Sequence, residues 1–334
     1  MRFGFKLSGL VMNTIKLRLT MVGTVALLIA LSTFFFAIIL SYIGITDLFS
    51  LLSMVFIFNV AQWLFAPYLI GSMYRVQEAT GPESAGLRSM VERLSQKNGI
   101  GMPKVMIANI PIPNAFAYGS PIAGSRVAVT TGLLRELQDE EVEAVLGHEL
   151  GHLKNKDVQT MMFASVLPAV FYFIARSMMM SAYYGGSRDR ERSGAAPMLI
   201  GGVSMVIYYV LTLLVLGLSR VREYYADQRS VATVDDGARK LSEALAKIVA
   251  SSSRLRLSRM APRSLNSFKA LFIEDPDSAQ RNEVAISGSR LFKTDQQLVQ
   301  EILSKKVSPI GQVLELLSTH PNIVKRLQAL QESA

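Results

Sequence analysis

The chain has 334 residues and no cysteine, which excludes disulfides, thiolate metal sites and cysteine nucleophiles. Its composition is 50% hydrophobic and only 18% charged, and four charge-free runs approach or exceed the length at which a helix crosses a bilayer, so a purely soluble protein is excluded. The net charge of +9 is explained by lysine and arginine residues that flank membrane segments, and we expect a lipid bilayer and no nucleic acid as a partner.

The first two charge-free runs, residues 19–46 and 48–74, stand near the N-terminus and predict a membrane hairpin of two transmembrane helices over residues 1–74. The first run is far longer than the apolar stretch of a cleavable signal peptide, so we expect it to remain as an anchor. Basic residues precede the hairpin and none lies in its turn. The positive-inside rule therefore predicts that the N-terminus and the chain after the hairpin are cytoplasmic.

Residues 75–157 predict a water-facing part of mixed α and β structure. Helical spacing extends over residues 86–98, and a second helix is expected to begin near Asp139, where three successive acidic residues suit the positive end of a helix dipole. Short strands, bounded by proline and glycine, are expected at residues 104–108, 114–118 and 126–130.

The other two charge-free runs, residues 158–175 and 193–219, predict a second membrane hairpin over residues 158–219. Three arginines in its loop oppose the positive-inside rule, so a partly inserted hairpin is the alternative to two full spans. Residues 220–334 again predict a water-facing, mostly helical part. The elements together predict an α+β membrane protein, mainly helical with a small β-sheet, with up to four transmembrane helices.

Two of the three histidines, His148 and His152, lie four residues apart in an H-E-x-x-H string. This spacing puts both imidazoles on one face of a helix, where both can reach one Zn²⁺ ion. Glu149 stands beside them and is placed to accept the proton of a water whose pKa the metal lowers. The string is rare by chance, which favours a metal site over an amphipathic helix with two surface histidines.

A catalytic zinc site needs a third protein ligand and an open fourth position. Glu223 and Asp227 are the candidates, because they lie four residues apart on a predicted helix and one carboxylate can ligate while the other hydrogen-bonds a ligating imidazole. If both segments of the second hairpin cross the membrane, His152 and Glu223 lie near the same membrane face.

Three strings follow one another around the second hairpin: His148-Glu-Leu-Gly-His152, Asn155-Lys-Asp157 and Arg222-Glu-Tyr-Tyr-Ala-Asp227. In this order they resemble the HtpX-type membrane metallopeptidases, gluzincins related to the CAAX prenyl-protein endopeptidases. Two further stretches are similar to the family's substrate-facing strand and to its C-terminal His-Pro box: Pro113-Asn-Ala-Phe-Ala-Tyr-Gly119, with Tyr118 where a small residue is commoner, and Ser318-Thr-His-Pro321. The match follows the whole chain in order and is poorest over residues 273–308.

The resemblance implies a zincin-like catalytic domain, formed by residues 75–157 and 220–334, with one Zn²⁺ per chain. It implies an integral-membrane zinc endopeptidase that acts in protein quality control and stress response. Such an enzyme would be a multi-pass protein of the cell (inner) membrane and would hydrolyse peptide bonds of membrane or misfolded proteins at the cytoplasmic face. No oligomeric state follows from the resemblance.

The resemblance also implies a role for particular residues. His148, His152 and Glu223 would be the zinc ligands, Glu149 the general base, and Asp227 a partner that orients a ligand. His320 would stand near the scissile carbonyl and stabilise the oxyanion. The substrate would contact Arg326 and an edge strand formed by Asn114, Ala115, Phe116 and Ala117.

One reading of a different class stays open, a non-enzymatic membrane scaffold or transporter subunit that keeps the metal-site helix as structure. A structural zinc site is closed by four protein ligands, whereas this sequence offers two histidines, one carboxylate and an intact Glu149. Ionisable residues within membrane segments are the usual mark of a transport path, and the four apolar runs contain almost none. Both observations favour the peptidase.

Overall fold

The structure, a computed structural model, describes residues 64–184, 195–257 and 294–333, except for residues 66, 69, 73 and 306. The first predicted membrane run and most of the second therefore lie outside the described residues. The described chain divides into two compact units. We call Gln159–Leu218 the helical unit, and Leu64–Val158 together with Ser219–Ala334 the mixed unit.

The mixed unit contains a four-stranded sheet in the order β1-β2-β4-β3. Its strands are β1 (Val76–Glu78), β2 (Lys104–Ala108), β3 (Ala115–Ser120) and β4 (Gly124–Thr130). The pair β2–β4 is parallel and the other two pairs are antiparallel. As a result β3 is an edge strand of this sheet. Gly119 has no room for a side chain, since a Cβ there would lie 2.6 Å from the carbonyl oxygen of Gly124.

The helices of the described residues include α1 (Ala85–Asn98), α2 (Thr131–Glu136), α3 (Asp139–Lys154), α4 (Asp157–Tyr184), α5 (Ala195–Thr233), α6 (Gly237–Leu257), α7 (Asp295–Leu303), α8 (Pro309–Leu316) and α9 (Ile323–Ser333). The fold is mostly helical with a small mixed sheet, as the sequence predicts. Helix α3 begins at Asp139, where the sequence predicts it. Gln138 and Glu141 form a capping box there, in which the Gln138 N–H donates to Glu141 Oε2 over 2.8 Å.

The core of the mixed unit forms where α3 packs against α6, α1 and the inner face of the sheet. Helical spacing puts the apolar residues of α3 on the face turned toward α6, and burying them stabilises both helices. The side chains of this contact are Val142, Val145, Leu146, Leu150, Leu241, Leu245 and Val249. This packing fixes the helix that carries the H-E-x-x-H string.

One helix of the described chain, Ala196–Thr233 within α5, is long and apolar enough to cross a membrane. Up to four spans are therefore not confirmed. The third predicted run lies in α4, where its 18 residues between Asp157 and Arg176 fall short of the ~20 that a span needs. Within the helical unit, buried apolar side chains from both helices, Phe171, Leu211 and Leu218 among them, form a separate core.

Candidate functional site

Two glycines of α3 allow it to lie close against the C-terminal part of α5. A Cβ on Gly147 would come within 3.2 Å of Ser230 Oγ, and one on Gly151 within 3.0 Å of Arg229 Cβ. The contact is further fixed by the Ser230 hydroxyl, which donates to the Ala144 carbonyl over 2.7 Å. The close approach brings the histidines of α3 next to the acidic residues of α5.

Three side chains from these two helices converge, two through an imidazole nitrogen and Glu223 through its two carboxylate oxygens. Nε2 of His148 lies 3.1 Å from Nε2 of His152, 3.4 Å from Oε2 of Glu223, and Nε2 of His152 lies 3.5 Å from Oε1 of Glu223. All three side chains are nearly buried, with His148 at 0% and Glu223 at 5% exposure. Among the described residues they form a group that could hold a metal ion.

The spacing of this donor set fits zinc. Donor atoms that bind one Zn²⁺ at ~2.0–2.1 Å in a tetrahedron lie ~3.3 Å from each other. The observed separations of 3.1, 3.4 and 3.5 Å are close to this value. Two imidazoles and one carboxylate are also a donor set that zinc prefers, and three protein ligands leave the fourth position open.

A carboxylate contacts the Nδ1 atom of each imidazole, on the side of the ring opposite Nε2. Nδ1 of His148 lies 2.8 Å from Oδ1 of Asp227, and Nδ1 of His152 lies 2.7 Å from Oδ2 of Asp157. Because a ring nitrogen that faces a carboxylate carries a proton, Nε2 is left as the metal-binding atom in both histidines. Each carboxylate also pairs with an arginine.

Arg326 and Arg222 balance the charge of these two carboxylates. Arg326 binds Asp227 through two contacts, Nε to Oδ2 at 2.6 Å and Nη2 to Oδ1 at 2.7 Å. Arg222 Nε lies 3.1 Å from Oδ1 of Asp157. Both carboxylates are at least 98% buried, where an unpaired charge would be costly, so each arginine stabilises its partner in the ionised form.

The electrostatics of the site favour an ionised Glu223 and protonated imidazoles. Burial opposes the charge of Glu223, but the field of His320 and hydrogen bonds from both α3 histidines hold the pKa of this carboxyl well below its usual range. Burial also opposes the charge of His152, but Asp157 and Glu223 outweigh it and raise the pKa of this imidazole to about 10. A metal ion that binds here replaces protons with its own positive charge.

Glu149 differs from the paired carboxylates Asp227 and Asp157 in that its side chain has no partner among the described residues. It lies on α3 beside His148 and is only 4% exposed, yet its side chain makes no hydrogen bond or ion pair within the described part of the chain. A carboxylate that no group of the described chain pairs can contact a water molecule at the adjacent candidate metal site, which favours a chemical role.

His320 is brought to the same site by the turn between α8 and α9. Its Nδ1 lies 3.3 Å from Oε2 of Glu223, and the residue is 95% buried. In the described residues neither ring nitrogen has a partner with hydrogen-bond geometry. The ring therefore keeps hydrogen-bonding capacity next to the candidate ligand Glu223.

The residues predicted to contact substrate are placed in two different environments. Arg326 is fully buried against Asp227 and lies 3.5 Å from Glu223, rather than at a surface. Asn114, Ala115, Phe116 and Ala117 lie at and before the start of edge strand β3, which packs against α3. The first three have buried side chains, and Ala117 is partly exposed.

The register of β3 assigns its outward-facing backbone groups. The Thr130 N–H donates to the Asn114 carbonyl, as in a hydrogen-bonded pair of the antiparallel ladder, while the Asn114 N–H donates to the Thr130 hydroxyl. Such pairs alternate along the ladder. The backbone N–H and C=O groups of Ala117 and Gly119 therefore point away from β4, toward the open edge.

A second cluster of carboxylates differs from the candidate metal site because a lysine of the chain pairs with it. Glu141, Glu243 and Asp295 also lie close enough to one another to hold a metal ion. The Lys247 ammonium lies 2.6 Å from Oε1 of Glu141 and 2.9 Å from Oδ2 of Asp295, so a cation of the chain itself already occupies the cluster. We interpret it as an ion-pair network that ties α3, α6 and α7 together.

Comparison with known proteins identifies the family to which this geometry belongs. The family model described as peptidase family M48 matches residues 82–334. The chain belongs to peptidase family M48. It is therefore a metallopeptidase, and the resemblance to HtpX-type metallopeptidases is confirmed. Members of the M48 family are zinc metallopeptidases.

Relatives of this M48 chain match over most of its length. A protease HtpX homolog of Thermoplasma acidophilum is 38% identical over 305 residues, which are 88% of this chain and 90% of that protein. Protease HtpX homolog 2 of Saccharolobus solfataricus is 36% identical over 302 residues, 86% and 87% of the two chains. The crystal structure of S. mikatae Ste24p has a similar fold, with a TM-score of 0.52, 16% identity, and coverage of 96% of this chain and 67% of that one.

The sequence analysis assigned no role to Asp157 and Arg222. The structure of this M48 chain places both of them beside the candidate ligands. Both stand inside strings on which the resemblance depends, Asn155-Lys-Asp157 and Arg222-Glu-Tyr-Tyr-Ala-Asp227. An acidic residue at the start of α4, five residues after His152, was the available signal. Without the tertiary structure it could equally be a helix N-terminal residue facing solvent.

Proposed function

We propose that this M48 metallopeptidase is a zinc endopeptidase whose metal is held by His148, His152 and Glu223. The observation that carries the proposal is the convergence of two imidazole nitrogens, 3.1 Å apart, on the Glu223 carboxylate, whose two oxygens lie 3.4 Å from Nε2 of His148 and 3.5 Å from Nε2 of His152. These separations are close to those between the ligand atoms of a tetrahedral zinc ion. Asp227 and Asp157 would keep the two imidazoles oriented, through their 2.8 Å and 2.7 Å contacts with Nδ1.

Zn²⁺ bound to these residues supplies a Lewis acid that polarises a peptide carbonyl and lowers the pKa of water. Glu149 then acts as the general base, because its carboxylate, which has no partner among the described residues, can take the proton of the attacking water. The same carboxyl group can give that proton to the amine that leaves when the peptide C–N bond breaks. His320 would donate from a ring nitrogen to the oxygen of the scissile carbonyl, where negative charge develops.

We propose that the substrate binds in an extended form along β3. An edge strand with outward-facing N–H and C=O groups can accept one more strand, and β3 packs directly against the helix that carries His148 and Glu149. A substrate added there would be held by main-chain hydrogen bonds, which fits a peptidase that acts on many sequences. Membrane or misfolded proteins, which expose extended segments, are the substrates proposed.

Replacement of Ala117 by proline tests this binding mode. The variant loses one outward-facing N–H, and proline is tolerated on an edge strand where no ladder hydrogen bond is lost. We expect KM for a peptide substrate to rise ~3–10-fold, the value of one hydrogen bond, with little change in thermal stability. Phe116→Pro is the matched control. Its N–H faces β4, so this variant should lose stability instead. An unchanged KM in Ala117→Pro would contradict strand addition at this edge.

We further propose that residues 75–157 and 220–334 form one catalytic domain on the cytoplasmic side of the cell membrane. The apolar part of α5 supports membrane association. The basic residues that precede the first apolar run support the cytoplasmic orientation of the domain. Residues 1–74 and 158–219 would then be its membrane hairpins.

The proposed function is tested by metal removal from the purified full chain. Hydrolysis of a denatured protein should stop when a chelator such as 1,10-phenanthroline is added and should return when one equivalent of Zn²⁺ is restored. Full hydrolysis after the metal has been removed would overturn the proposal. Bound zinc without hydrolysis of any denatured or membrane protein would favour the non-enzymatic scaffold.

A further inference from the structure

Arg220 lies on α5, one helical turn before Glu223, and its guanidinium contacts the segment that leads to His320. A single nitrogen, Nη1, donates to the carbonyls of Glu315 at 2.9 Å, Leu316 at 3.1 Å and Ser318 at 2.7 Å. These carbonyls belong to the C-terminal end of α8 and the turn that follows it. The last carbonyls of a helix have no partner within the helix, and a cation placed there satisfies them.

The turn that Arg220 contacts is closed by its own hydrogen bonds. The Ser318 N–H donates to the Glu315 carbonyl over 3.0 Å, and the His320 N–H donates to the Ser318 hydroxyl over 3.3 Å. Beyond His320, Asn322 Oδ1 accepts from the Val324 N–H over 2.9 Å and so caps α9. The backbone of His320 is therefore held between a turn fixed to α5 and the start of α9.

We infer that Arg220 is a positioning residue that fixes His320 beside Glu223, an inference that rests on the role proposed above for His320. Arg220 and Glu223 are three residues apart, which is ~4.5 Å along a rigid helix axis. Helix α5 therefore holds the turn through Arg220 and, one helical turn later, carries Glu223, the carboxylate that His320 faces. Because both contacts share one rigid element, the position of the imidazole relative to the site is set by α5.

The chemistry of the side chain explains why arginine stands at this position. Its guanidinium is always charged, and one terminal nitrogen of it, Nη1, reaches all three carbonyls. A lysine ammonium is also a cation with three N–H donors, but it stands on a shorter side chain and is more strongly hydrated. Arg220→Lys should therefore keep part of the function and Arg220→Gln little of it.

A double-mutant cycle tests whether Arg220 acts through His320. Arg220→Gln should lower kcat ~10–100-fold, since a misplacement of about 1 Å can cost that much, while KM and bound zinc stay within ~2-fold. In a His320→Ala background the same substitution should add less than ~2-fold, because its target is already absent. Arg220→Lys should give an intermediate kcat. Arg135→Gln, an exposed arginine on α2, is the matched control and should be silent.

Hydrogen exchange tests the contact without the reaction. In full-length Arg220→Gln, the amides of Ser318 and His320 should exchange faster than in the parent chain, while those of α3 stay unchanged. Unchanged exchange at the turn, or an equal loss of kcat with and without His320, would overturn the inference. If the parent chain hydrolysed nothing, the proposed function would fail, whereas the exchange measurement would still decide whether Arg220 holds the turn.

Discussion

Glu149→Gln is expected to keep about one zinc ion per chain and to lower peptide hydrolysis ~10²–10⁴-fold, the usual contribution of a positioned general base. The substitution removes the proton acceptor and leaves His148, His152 and Glu223 unchanged. Because Glu149 has no ion pair within the described residues, its loss leaves no charge of the chain unpaired, and thermal stability should be retained.

Zinc content by atomic absorption and hydrolysis of a denatured protein are the two measurements for this variant. Glu143→Gln is the matched control, because it makes the same change on α3 at a residue that pairs with the half-exposed Arg93. It should hydrolyse at nearly the parent rate. Retained hydrolysis in Glu149→Gln with zinc bound would contradict the assignment of the general base.

Glu223→Gln and Asp227→Asn are expected to differ in kind, although both replace a carboxylate by an amide of the same shape. Glu223→Gln removes a negatively charged ligand oxygen and leaves two imidazoles, which hold zinc poorly. Zinc should be lost on dialysis, and added zinc should restore little activity. Asp227→Asn keeps all three ligands but weakens the partner of His148 Nδ1, which typically costs 10–100-fold in metal affinity or activity.

Excess zinc should therefore restore much of the activity of Asp227→Asn and little of that of Glu223→Gln. The measurement is a zinc titration of both variants with hydrolysis as one readout and bound metal as the other. Restoration in the reverse order would mean that Asp227 is the ligand. Parent-like zinc binding in both variants would mean that the third ligand lies elsewhere.

Local signals in the sequence predicted the elements that carry the site. Helix α3 begins at Asp139 as predicted, because its capping residues and its apolar spacing are both local. Strand β2 occupies residues 104–108, also as predicted. Strand β1 was not predicted, because its three residues Val76–Glu78 have no alternating pattern and become a strand only by pairing with β2.

Contacts between distant parts of the chain could not be predicted in the same way. The i, i+4 spacing indicated that His148 and His152 share a helix face, but nothing local indicated which carboxylate would lie behind each ring. Arg326 lies 99 residues from Asp227 in sequence and pairs with it in the core. Its burial depends on the position of that partner, and an arginine on an amphipathic helix gives no local sign of such pairing.

Anomalous scattering at the zinc absorption edge, measured on crystals of the full chain, tests the proposed ligand set. We expect one strong peak at ~2.0–2.2 Å from Nε2 of His148, Nε2 of His152 and a carboxylate oxygen of Glu223. A peak among Glu141, Glu243 and Asp295, or a metal ligated by Asp227 in place of Glu223, would contradict it.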